Sequence, residues 1–105
     1  MKAPNQAEAV AQIALMRREG WRLIQRKAVS RLPRVYATPD YQWRISTTHG
    51  GKWKLEKFVC DIYMPGVGTF KKYQPVIRPL LNNPLAMALW FNLLKRLERL
   101  GAMKL

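Results

Sequence analysis

Between positions 41 and 57 the chain reads Tyr41-Gln42-Trp43-Arg44-Ile45-Ser46-Thr47, then Thr48-His49-Gly50-Gly51-Lys52, then Trp53-Lys54-Leu55-Glu56-Lys57. Apolar and polar residues alternate on both sides of a Gly-rich turn, the period of a half-buried β-strand. A three-residue loop at His49-Gly50-Gly51 gives glycine a left-handed position and pairs Thr48 with Lys52. That register sets Thr47 opposite Trp53, Ile45 opposite Leu55 and Arg44 opposite Glu56. A slip by one residue would send the two tryptophans to opposite faces, so the aromatic pattern itself selects the loop length. Beyond Leu55 the alternation fails: Lys57 falls on the apolar face, while Phe58, Cys60 and Ile62 fall on the other. This predicts either a β-bulge near Glu56-Lys57 or a strand buried on both faces.

The segments around the hairpin complete an α+β pattern. Upstream, Asn5-Gln6-Ala7-Glu8 reads as a capping box. Ala7, Val10, Ala11, Ile13, Ala14 and Leu15 then recur at helical spacing as far as Gly20, predicting a helix over 6–19. Trp21 to Val29 has strand propensity with rough alternation, Ser30 to Arg34 breaks it, and Val35 to Ala37 resumes it. Downstream, Met64 to Thr69 is a loop, and Phe70 to Ile77 supplies a further strand in which Pro75 demands an edge. Arg78-Pro79 prevents helix there. Asn83 then caps a helix with Pro84 at its first position, which runs from Leu85 to Leu100 and stops at Gly101.

The expectation is one domain spanning 1–105, with an N-terminal helix, a three- to four-stranded antiparallel sheet and a C-terminal helix as a two-layer sandwich. Trp21, Trp43, Trp53 and Trp90 are the first choices for its core. The order of elements is similar to that of double-stranded RNA-binding domains. Their basic signature at the start of the last helix is replaced here by the apolar Asn83-Pro84-Leu85-Ala86, and no family is assigned.

Composition speaks to partners. The 105 residues carry 19 Lys and Arg against 6 Asp and Glu, a formal charge of +13, which favours an anionic partner over a neutral metabolite. No apolar run behind the N-terminus resembles a signal peptide. The longest nearly uncharged stretch, 82–94, falls short of the roughly 20 residues that span a bilayer. Cys60 is the only cysteine, so an internal disulfide and a cysteine zinc cluster are excluded. A cytoplasmic protein without membrane attachment or cofactor is expected.

Catalytic signals are weak. His49 is the only histidine and sits in a turn with no partner to make it a base. The acids Glu8, Glu19, Asp40, Glu56, Asp61 and Glu98 show no two-metal spacing. An approach of Asp40 to Asp61 across the open end of the hairpin is the one metal arrangement the pattern permits. Cys60 reads as a buried small hydrophobe. Pro65-Gly66-Val67-Gly68-Thr69 lacks the Lys-Ser/Thr ending of a phosphate loop and the third glycine of a dinucleotide fingerprint. The only catalytic class left is a metal-independent nuclease using Arg, Lys and Tyr.

The basic residues cluster instead. Arg17, Arg18, Arg22, Arg26, Lys27, Arg31 and Arg34 follow one another with Glu19 alone between them, and Arg44, Lys52 and Lys54 lie on the polar face of the hairpin. Arginine in such number favours bidentate contact with phosphates. Nucleic acid is therefore the expected partner, bound mainly through its backbone by Arg17, Arg18, Arg22, Arg26, Arg31, Arg34, Arg44, Lys52 and Lys54. Tyr36 and Tyr41 are the aromatics assigned to base stacking, with Tyr63, Phe70 and Tyr73 as further candidates. The last helix is apolar nearly all round, and Leu85, Met87, Leu89 and Phe91 are assigned to contact with a second protein chain, a copy of this one or a larger partner. The competing expectation is a basic accessory or inhibitor protein that docks on an acidic protein or on a nucleic-acid-processing enzyme.

Overall fold

A computed structural model describes residues 6–48, 50–76 and 80–105. Its elements are α1 (Gln6–Arg18), β1 (Arg22–Arg26), β2 (Pro33–Ala37), β3 (Trp43–Thr47), β4 (Trp53–Met64), β5 (Gly68–Pro75) and α2 (Pro84–Arg99). The class is α+β, as the pattern predicts, but the sheet has five strands rather than three or four, all antiparallel in the order β1-β2-β3-β4-β5. The weak alternation of residues 21–37 has a structural cause. The β1–β2 ladder shifts register on both sides of Gln25, so its side chains do not keep a simple two-residue period.

The β3–β4 hairpin has the register read from the alternation, with Thr47 facing Trp53, Ile45 facing Leu55 and Arg44 facing Glu56. Thr48 and Lys52 close the turn, and Gly51 takes a φ of 78°. His49 lies outside the described residues. No bulge occurs at Glu56-Lys57. Lys57 pairs with Trp43 in regular register, and its Nζ sits 5.4 Å from the centre of the Trp43 ring and donates to the Leu105 carbonyl at 3.2 Å. A lysine can lie beside the core because its alkyl stem covers apolar surface while the amine reaches a polar partner. The irregularity comes later, between Phe58 and Cys60 in the β4–β5 ladder. Past it, Asp61 shares the side of Phe58: Lys71 pairs with Asp61 at 3.4 Å and lies 5.0 Å over the Phe58 ring.

Both helices cover one face of the sheet. Their buried side chains join those of the strands in one core containing Met16, Trp21, Tyr36, Trp43, Ile45, Trp53, Leu55, Met87, Ala88 and Phe91. Phe91 is its hinge point: its ring centre lies 5.2 Å from that of Trp21 in an edge-on pair and 5.0 Å from that of Trp43, geometries that suit the quadrupoles of aromatic rings. Trp90 is 37% exposed and is not a core residue.

α1 buries Ala9 and Met16, with Ile13 packed against the core. Of the apolar positions that predict this helix only Ile13 turns inward; Ala7, Val10, Ala11, Ala14 and Leu15 remain exposed, so the buried stripe is not the one the spacing picks out. The inner stripe runs through Gln12, a polar residue tolerated there because Tyr36 Oη donates to its Oε1 at 2.7 Å. Asn5 of the capping box lies outside the described residues. The helix ends with Gly20 at φ 91°, where Gly20 N–H donates to Arg17 C=O and Trp21 N–H to Met16 C=O. This paired closure brings Met16 and Trp21 together in the core.

α2 starts where the sequence places it. Asn83 Oδ1 accepts from the Leu85 N–H at 2.8 Å and Pro84 fills the first helical position. Gly101 at φ 77° ends it. Pro84, Met87, Ala88, Phe91 and Leu94 are buried, leaving Leu89, Trp90 and Leu93 on the outside.

Candidate nucleic-acid interface

In a meander whose strands follow chain order, the β1–β2 and β3–β4 turns fall at the same end of the sheet. That topology merges two basic groups that are separate in sequence. Lys27 and Ala28 from the first turn, Arg34 from β2, Thr47 and Thr48 from the end of β3, and Lys54 from β4 line one groove of about 540 Å³. Three cations and two hydroxyls converge there without a carboxylate in the lining. The first turn is braced: Lys27 N–H donates to Leu32 C=O, Arg31 N–H to Lys27 C=O, and Arg26 Nη1 to Arg31 C=O at 2.9 Å. Arg31 itself is held at φ 61°, a left-handed conformation uncommon outside glycine.

Of the other basic residues, Arg26, Arg31 and Lys52 lie at this end of the sheet, whereas Arg22, paired with Ala37, and the preceding Arg17 and Arg18 lie at the opposite end of the strands. Arg17 and Arg18 are exposed at the C-terminal end of α1, where the helix dipole favours positive charge. Arg22, Arg31, Arg34 and Lys52 are exposed, and Arg26 is half-buried against its own turn. None of these residues forms an ion pair with a carboxylate among the described residues. Such a set of cations can hold the oxygens of successive phosphates.

The centre of the uncovered sheet face is not a free row of cations. Glu56 is 3% exposed, receiving Arg44 Nε at 2.8 Å and Ser46 Oγ at 2.6 Å, with Lys54 Nζ at 3.7 Å. Burial alone pushes its carboxyl up, but these hydrogen bonds and the charges of Arg44 and Lys54 outweigh it and hold the group below its ordinary value. Arg44 also stacks on Tyr73, its guanidinium carbon 4.2 Å from the ring centre. Both Arg44 and Lys54 thus have an internal partner.

Beside Arg44 the same face forms a second hollow, of about 310 Å³. Ile24, Val35 and Ala37 contribute apolar surface to it, and Tyr41, Phe70, Tyr73, Arg44 and Lys71 complete its lining. Tyr41 has φ 59° and is fixed there by its turn: its N–H donates to Thr38 C=O, Thr38 Oγ1 donates to Asp40 Oδ1, and Tyr73 Oη donates to the Tyr41 carbonyl at 2.6 Å. The hydrogen bond from Thr38, with that from the Gln42 N–H, holds the Asp40 carboxyl below its usual range.

Tyr36 requires correction as a stacking residue. It is fully buried, its ring centre is 5.7 Å from that of Trp53, and burial pushes its phenol up. Tyr41 at 45% exposure and Phe70 at 42% are open to a ligand. The α2 assignment also changes. Met87 and Phe91 belong to the core and Leu85 packs partly buried against it, so of the four residues given to a protein contact only Leu89, at 51%, is exposed. Trp90 and Leu93, beside it on the helix surface, are the exposed apolar residues that the all-round apolar pattern could not single out. Lys27, Thr47 and Thr48 are polar groove residues that the contacts assigned from sequence leave out. Their signal was the hairpin register combined with the first turn, which places both turns together only once the strand order is known.

Asp40 and Asp61 are taken up by Thr38 and Lys71, and no group of three potential metal ligands occurs among the described residues. Cys60 is exposed rather than buried. No helix among the described residues is long and apolar enough to cross a membrane. Compared with known proteins, the chain matches no family model, no curated protein and no solved structure.

Proposed function

We propose that the protein binds nucleic acid mainly through backbone phosphates, as an accessory subunit of a nucleoprotein assembly. The observation that carries this reading is the convergence of Lys27, Arg34 and Lys54 with Thr47 and Thr48 in a groove without a carboxylate. Phosphate oxygens suit that donor set, since hydroxyls and cations both donate to them and neutralised phosphates release counterions. Arg17, Arg18, Arg22, Arg31 and Lys52 extend the contact beyond the groove. Arg44 serves it indirectly, by positioning Glu56 and Tyr73. The test is fluorescence anisotropy with labelled oligonucleotides across a salt series. With about six phosphates neutralised, log K falls against log salt with a slope of about −5. Absence of binding at low salt refutes the reading.

A second reading is docking on an acidic protein. It is favoured by the exposed Leu89, Trp90 and Leu93 on α2, next to Arg96 in the last turn. Co-purification separates the two: material absorbing at 260 nm that leaves at high salt supports the first, and a retained acidic protein supports the second.

A further inference from the structure

We propose that the nucleic acid is single-stranded and that the hollow beside Tyr41, Phe70 and Tyr73 receives an unpaired base. This rests on the nucleic-acid reading and names the strand form it requires.

Four observations lead there. First, the hollow of about 310 Å³ is lined by aromatic, aliphatic and cationic groups together, and its size is at the lower end of small-ligand clefts. That is the scale of one nucleotide, and a duplex keeps its bases stacked inside the backbone, out of reach of such a site. Second, Tyr41 and Phe70 each leave close to half of their surface open on its rim, offering ring faces on which a base of any identity stacks.

Third, the conformation of Tyr41 is imposed. A bulky residue at φ 59° is disfavoured by its own Cβ, yet Thr38, Asp40 and Tyr73 hold the turn in place. Strain of this kind persists only where surrounding structure over-determines it, and it concentrates at ligand sites. Fourth, a cation layer already exists. Arg44 lies over the Tyr73 ring, and Lys71 stands at the rim over Phe58. A base entering between Tyr41 and Phe70 extends this arrangement of alternating rings and cations.

The Lys27, Arg34 and Lys54 groove lies at the other end of the strands from Tyr41, on the β1–β2 and β3–β4 turns. A strand crossing the uncovered face therefore meets phosphate contacts at one end and a base site at the other. Arg44 and the buried Glu56 lie between them.

The experiment compares fluorescein-labelled oligo-dT, oligo-U and a mixed-sequence DNA duplex of equal length, binding to the full chain at low salt. The single strands are expected to bind at least tenfold more tightly than the duplex. Tyr41→Ala and Phe70→Ala each weaken single-strand binding by about tenfold, the range of one base–aromatic stack, while Tyr41→Phe retains it. The salt slope and the duplex affinity stay at their wild-type values in all three variants. Circular dichroism melting confirms that each variant folds, which the exposure of both rings favours. Tighter duplex binding, or wild-type single-strand affinity in both alanine variants, overturns the base site and leaves the backbone reading standing. Loss of all binding by the wild-type chain overturns both.

Discussion

Arg44 donates its Nε hydrogen to a Glu56 carboxylate oxygen at 2.8 Å across the β3–β4 ladder. The pair that a sequence reading places on an exposed charged surface is therefore an internal one, with the Glu56 side chain only 4% exposed. It neutralises the middle of the uncovered face and leaves surplus cations at both ends of the strands, Lys27, Arg34 and Lys52 at one and Arg17, Arg18 and Arg22 at the other.

Removing this carboxylate is expected to destabilise the fold. Glu56→Ala leaves Arg44 and Ser46 without their acceptor, a loss of about 2 to 3 kcal/mol, moderated by the partial exposure of Arg44. The urea midpoint measures it. Because the folded carboxyl lies below its ordinary value of 4.5, its stabilisation is complete above that value and disappears as pH falls through the lower folded one. Between pH 6 and pH 3 the midpoint should drop in the wild type, and the drop should be smaller in Glu56→Gln.

Lys27→Ala and Arg34→Ala are expected to weaken binding equally across nucleic-acid sequences. Each should make the log K against log salt slope shallower by about one. Anisotropy titrations at three or more salt concentrations read this directly, and a Lys72→Ala control, remote from the groove, should keep the wild-type slope.

Tyr36 separates a structural role from a binding one. Tyr36→Ala is expected to cost about 3 to 5 kcal/mol, as for other large core rings. Tyr36→Phe removes only the hydrogen bond to Gln12, at about 1 kcal/mol. Where Tyr36→Phe remains folded, its nucleic-acid affinity should equal that of the wild type, as titration at matched salt would establish.

On α2 the two sides should respond differently. Met87→Ala opens a cavity in the core and is expected to cost about 2 to 5 kcal/mol. Leu89→Ser, on the outer surface, should stay within about 0.5 kcal/mol. Thermal or urea unfolding of both variants distinguishes them, and similar losses would place Leu89 in the core as well.

Much of the framework is legible in the sequence because its signals are local. The alternation around Trp43 and Trp53 fixes a register residue by residue, Asn83-Pro84 marks a helix start, and Gly20 and Gly101 mark helix ends. What escapes is set by neighbours distant in sequence. Lys57 breaks the apolar pattern without breaking the strand, because the Trp43 ring and the end of the chain accommodate it. Tyr36 looks like a surface aromatic until Gln12 of α1 meets its hydroxyl. Glu56 looks solvated until Arg44, Ser46 and Lys54 surround it. Residues 22–37 alternate poorly because their ladder shifts register, and the cation groove exists only once two turns are folded to one end. Charge clustering identifies the basic segments, but not which cations remain unpaired.

The strict chain-order pairing of the five strands also has a kinetic meaning. Each hairpin closes a short loop, an entropically cheap event, whereas the Glu19–Asn92 hydrogen bond between the end of α1 and α2 joins residues 73 positions apart. Refolding should therefore protect the amides of β2, β3 and β4 before those of α2, an order that pulse-labelled hydrogen exchange can register. On this route the β1–β2 turn with Lys27 and the β3–β4 turn with Lys52 come together while the helical layer is still open. The cation-rich end of the molecule then forms early, before the helical layer is in place.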